Sequence, residues 1–109
     1  MKAMISQPMA GKTDEEIKET RERAIAFLEA QGYEVADTYF AEEFKSAKHI
    51  DGRSIPIYFL SKSLEAMSLC GTVYFCKGWE TARGCKIEHD AAEAYGLHVI
   101  YEEVNYVKD

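Results

Sequence analysis

Cys76-Lys77-Gly78-Trp79-Glu80-Thr81-Ala82-Arg83-Gly84-Cys85-Lys86-Ile87-Glu88-His89-Asp90 reads as the end of a buried strand, a turn built on Gly78, and the opening of a helix. Upstream, residues 72–76 are continuously apolar after Thr72, as in a central strand covered on both faces. The helix is predicted over residues 83–95, with Gly96 as its stop. Residues three and four apart on a helix share a face. Glu88 is therefore expected over Ala91, Ala92 and Tyr95, with Gly84 one turn before it. An unpaired carboxylate on such a face is costly to bury. Two readings follow: a structural Glu paired with Arg83 or a turn amide, or a pocket carboxylate.

Working outward, Lys2 to Ser6 is an apolar strand, and the Pro and Gly in Gln7-Pro8-Met9-Ala10-Gly11 make a turn. Thr13 and Glu16 have the spacing of a capping box. The helix they start places Ile17, Ala24, Phe27 and Leu28 on one stripe and Glu15, Lys18, Glu19, Glu22 and Arg23 on a solvated face, ending at Gly32. Residues 33–36 form a second strand ending at Asp37. Residues 38–54 have no sustained period, and a connection that long is usually functional or mobile. Ser54 and Pro56 open another helix that carries Ile57, Leu60, Leu64 and Met67 on one face, with Gly71 as its stop. Residues 97–101 are the last clear strand.

The order β-α-β-loop-α-β-α-β predicts one domain over residues 1–109. Its class is α/β: a flavodoxin/Rossmann-like parallel sheet of four to five strands with helices on both faces. Such sheets bind ligands beyond the carboxyl ends of their strands, where the strand order reverses. That edge gathers residues 7–12, Asp37 and residues 77–88.

The chain has 109 residues, 47% of them hydrophobic and 29% charged, an ordinary globular composition. No apolar run reaches the ~20 residues of a membrane span, and a cytoplasmic location is expected. The net charge of −6 argues against a nucleic-acid polymer as partner, but not against a single nucleotide held by a few amides and one Arg. Three cysteines with no CxxC pair are expected as buried thiols. The scattered His49, His89 and His98 suggest no metal site. His89 is placed near the chemistry because it adjoins Glu88.

Gly11-Lys12-Thr13 resembles part of a P-loop, but Ser6 stands where that motif needs its first Gly, and Pro8 removes an amide from the cradle. ATP or GTP hydrolysis is not expected. The amides there remain suited to one phosphate or a sugar hydroxyl. Trp79 either stacks on a nucleobase or packs over the third helix or a subunit interface. Gly84 allows close approach to the backbone, and Asp37 stands where related architectures grip ribose hydroxyls.

Ile5-Ser6-Gln7-Pro8-Met9-Ala10-Gly11 resembles the opening motif of the nucleoside 2-deoxyribosyltransferase-like superfamily. Leu60-Ser61-Lys62-Ser63-Leu64-Glu65, Val73-Tyr74-Phe75 and the block from Gly78-Trp79 to Glu88-His89 resemble its small bacterial and prophage branch, whose function is unknown. The resemblance implies N-glycosidic cleavage or transfer on a (deoxy)nucleoside or its monophosphate. It makes Glu88 the nucleophile on the anomeric carbon, and lays residues 6–11 along the sugar or its 5′ end. Ser6, Gln7, Pro8, Met9, Gly11, Asp37, Gly78, Trp79, Arg83 and Gly84 are the expected substrate contacts. No metal or organic cofactor is implied, and relatives assemble as dimers or larger rings, so a homo-oligomer is expected. Two positions depart from the pattern. Ala82 stands where transferases have Asp and N-glycosidases Ser, and Asn105 is followed by Tyr106 and Val107 rather than by the transferases' Asn-x-Met ending. Glu80 is the candidate to replace the missing acid. The rival expectation is a non-catalytic nucleotide-binding module, a phage-encoded sensor or sequestering protein.

Overall fold

The structure is a computed structural model that describes residues 1–36 and 55–102. Along the chain come β1 (Lys2–Ser6), α1 (Asp14–Ala30), β2 (Glu34–Val35), α2 (Ile55–Met67), β3 (Thr72–Phe75), a 3₁₀ turn (Trp79–Thr81), α3 (Arg83–Ala94) and β4 (His98–Tyr101). The four strands are all parallel, in the order β2-β1-β3-β4. This is the expected α/β architecture. In the central pair, Ala3 faces Thr72 and Ser6 faces Phe75.

Strand alternation divides the core into two layers. Ala3, Ile5, Tyr74 and Cys76 point to one face and pack against Ala24 and Leu28 of α1. Met4, Val73 and Phe75 point to the other face, against Met67 at the end of α2 and Ala92 of α3. Helices therefore cover both faces. Because β1 pairs with β2 on one side and β3 on the other, the strand order reverses between β1 and β3, and a crevice opens there.

The local signals for helix ends hold. Thr13 caps α1: its hydroxyl accepts from the Glu16 amide, and the Glu16 carboxylate accepts from the Thr13 amide. Gly32 follows α1 in the left-handed region, as a C′ glycine does. Gly96 does the same after α3. Two details differ. Ile57 is exposed because the buried face of α2 runs through Leu64 and Met67, leaving the first turn of the helix outside it. Tyr95 is 85% exposed because α3 ends at Ala94 and Tyr95 is its C-cap, so Glu88 lies over Ala92 but not beneath a tyrosine ring. Among the described residues, no helix is long and apolar enough to cross a membrane.

Candidate active site at the β1–β3 crevice

A cavity of about 490 Å³ lies at the carboxyl end of β1, within the usual size range of small-molecule sites. Four segments build it: the turn after β1, the entry to α3, α1 through Arg21, and α2 through Ser63. Ser6, the last residue of β1, shares the face of Met4 and so points toward α3. Glu88, one turn into α3, meets it there.

Glu88 is 7% exposed yet lines the cavity. The Ser6 hydroxyl donates to its Oε1 at 2.5 Å, and the Ser63 hydroxyl on the cavity wall also favours the ionised form. Burial pushes the carboxyl pKa above its usual range, and the two hydroxyls pull it partway back. Hydroxyl donors stabilise the carboxylate without neutralising it. Among the described residues no salt bridge to Glu88 is formed, so the pairing with Arg83 allowed by the sequence is replaced by the bond from Ser6. Cys85, one turn before Glu88 on the same side, also lines the cavity. Burial lifts its thiol to about 11, opposed by the Ser6 hydroxyl and reinforced by Glu88. It is thus a protonated thiol at neutral pH, and a poor nucleophile.

Gln7 is 8% exposed. Its Nε2 donates to the Ile17 carbonyl at 3.0 Å, while its Oε1 is buried with no hydrogen-bond partner among the described residues. Pro8, Met9, Arg83 and Gly84 complete the walls from the two turns. Of the expected contacts, the structure therefore gathers Ser6, Gln7, Pro8, Met9, Arg83, Gly84 and the carboxylate of Glu88.

Three expected contacts do not line the cavity, and a fourth, Asp37, lies outside the described residues. Gly11 has φ +77 in the exposed turn before α1 and serves the chain reversal. Gly78, φ +90, makes the left-handed N-cap of the 3₁₀ turn, with Pro8 Cγ 3.7 Å from where a Cβ would stand. Its role is conformational. Trp79 turns away from the cavity and stacks on His89 (ring centroids 4.1 Å, 24° between planes) and on Tyr101 at 5.6 Å, with Phe75 beneath. His89 is drawn into the same stack, and its Nε2 lies 2.5 Å from the Tyr101 hydroxyl. A helix turns about 100° per residue, so the neighbour of a cavity-facing Glu88 belongs to another layer.

Arg21, Ser63 and Cys85 are site residues that the sequence reading missed. Arg21 lies on the stripe of Ile17, Ala24 and Leu28. Ser63 is in register with Leu60 and Met67. Cys85 had only its spacing to Glu88 to mark it. Lys77 and Glu102 meet outside the cavity: Glu102 Oε1 accepts from the Lys77 amide at 2.7 Å, and its Oε2 pairs with Arg23 at 3.1 Å.

The fold and site define a parallel α/β domain with a buried carboxylate in the crevice at its switch point. The chain belongs to the DUF4406 family, described as a domain of unknown function, whose model matches residues 1–101. No curated protein and no solved structure gives a significant match. Among the described residues, no group of three or more His, Cys, Asp or Glu could hold a metal ion.

Proposed function

We propose that the crevice binds a (deoxy)nucleoside or its monophosphate and cleaves the N-glycosidic bond, with Glu88 as nucleophile. The observation that carries this reading is the state of Glu88: buried, facing a cavity, and held by the Ser6 hydroxyl rather than by a cation. The resemblance of residues 5–11 and 78–89 to nucleoside 2-deoxyribosyltransferase-like proteins supports the same role.

In the first displacement a Glu88 oxygen bonds to the anomeric carbon as the C–N bond breaks. The bonding pair leaves on the base nitrogen, which takes a proton from water. In the second, water attacks the glycosyl ester, gives up a proton, and releases the sugar and the carboxylate. Splitting the reaction into two displacements is the usual use of a carboxylate nucleophile. Ser6 and Ser63 orient the carboxylate, and the high pKa of the Cys85 thiol keeps it from competing as nucleophile.

Ala82 supplies no acid where relatives carry Asp or Ser, and this favours a second reading, binding without cleavage. Chromatography of free base from a panel of deoxynucleosides and deoxynucleotides separates the two readings. Base release by the wild type, lost in Glu88→Ala with the fold retained, is the expected result. Release at the wild-type rate in that variant removes the nucleophile role, and ligand binding with no release by the wild type leaves the binding module.

A further inference from the structure

Ser6 and Gln7 are neighbours in sequence that serve opposite walls of the cavity. The Ser6 hydroxyl reaches Glu88 on α3, whereas the Gln7 Nε2 donates to the Ile17 carbonyl of α1 at 3.0 Å. Both residues line the cavity, and both are nearly closed to solvent. A ligand attacked by Glu88 from the α3 side is therefore flanked by Gln7 on the α1 side.

The bond to Ile17 fixes which way the Gln7 amide faces. Only the amide nitrogen can donate to a carbonyl, so Nε2 lies toward Ile17 and Oε1 away from it. A flip would set oxygen against oxygen. Oε1 is buried and has no hydrogen-bond partner among the described residues. Buried side-chain acceptors are seldom left in that state, because the lost hydration is not made good. Two such atoms occur among the described residues. Trp79 Nε1 sits in the aromatic stack, away from the cavity, whereas Gln7 belongs to the cavity wall.

We infer that Gln7 is the specificity-determining residue of the crevice. Its locked oxygen accepts from a neutral donor on the ligand, a hydroxyl or an amine, and rejects analogues that lack the donor or carry an acceptor in its place. The inference rests on the reaction proposed above and adds the residue that chooses among its substrates. Folding has already stripped Oε1 of water, so a ligand donor gains a bond there without displacing one. A polar group held ready in this way discriminates more sharply than an apolar pocket does. Ligand-free protein gives up some stability at this position in exchange for recognition.

Calorimetric titration of the full chain with adenosine and with cytidine tests it, each beside its 2′-, 3′- and 5′-deoxy analogues and the nucleoside lacking the base amine. In the series that binds, loss of one donor is expected to weaken affinity about ten- to hundredfold. The analogue that shows the loss tells a sugar hydroxyl from a base amine. Gln7→Met, which keeps the shape and removes the acceptor, should abolish that preference by weakening the ligands that carry the donor. Ligand-free Gln7→Met should melt at or above the wild-type midpoint, because an unpaired acceptor is gone and the Ile17 carbonyl keeps its intrahelical bond. A lower midpoint, or a variant that does not fold, makes Gln7 a structural residue and overturns the inference. Equal affinities across the series in the wild type overturn it too, as does a preference that survives in Gln7→Met. Binding of no nucleoside at all removes both the reaction and this inference. Glu88-dependent base release without donor preference would sink the inference and leave the reaction standing. A donor preference lost in Gln7→Met, without base release by the wild type, would do the reverse.

Discussion

Glu88 and Glu102 are both 7% exposed, and both lie toward the carboxyl end of the sheet, yet they are opposite kinds of buried carboxylate. Glu102 is committed on both oxygens, to the Lys77 amide at 2.7 Å and to Arg23 at 3.1 Å, and it ties the segment after β4 to the segment after β3 and to α1. Glu88 has two hydroxyls for company and an open cavity beside it. Burial alone does not distinguish a fastening from a carboxylate left facing a cavity. What differs is whether the surroundings neutralise the charge or merely hold it in place.

The sharpest way to break the comparison is to remove each carboxylate in turn. Glu88→Ala should lower base release by at least about 10³-fold, as loss of a covalent nucleophile does, and leave the far-ultraviolet circular dichroism unchanged. Glu102→Ala should act on stability. It strands the Lys77 amide, a charge-assisted bond, and the expected loss is about 2 kcal/mol in urea unfolding. A Glu102→Ala protein as stable as the wild type would show that the clasp is not structural.

Titration sharpens the contrast. The folded pKa of Glu88 lies above its unfolded value. Its contribution to stability is therefore fully present below the unfolded pKa and is lost as pH rises through the folded one. The stability of Glu88→Gln relative to the wild type should rise between pH 4 and pH 8, read from urea midpoints, and parallel curves would contradict the burial effect. Base release should increase over the same window, with its half-point above the ordinary carboxylate range.

The smallest effect separates the two bonds of Glu102. The side chain of Arg23 is 62% exposed, so solvent screens its pair. Arg23→Gln is expected to cost no more than about 1 kcal/mol. A loss as large as that of Glu102→Ala would move the weight of the clasp from the amide to the ion pair.

Much of the fold was legible because its signals are local. The Thr13–Glu16 box, the glycines at 32 and 96 and the apolar run at 72–76 each specify backbone geometry within a few residues. Glu88 was legible for the same reason, as a charge on an apolar helical face. Arg21 lies on such a face too, but a long arginine stem can cover an apolar stripe while its head reaches water, so the pattern alone does not mark it as a site residue. The clasp at Glu102 was not legible: its amide partner is 25 positions away and belongs to a different loop. Nor could the sequence choose between the two fates of Trp79. That choice depends on His89 and Tyr101 meeting it from separate elements, a matter of tertiary packing rather than of pattern.

The pairing of β1 with β3 also bears on how the chain assembles. Ala3 must find Thr72, and Ser6 must find Phe75, across more than half the polypeptide. Closing so wide a loop is entropically expensive before any contact rewards it. During synthesis the first strand therefore waits for its central neighbour, and α1 can shelter its apolar side in the interval. Acquisition of the sheet, rather than of the helices, should set the folding rate.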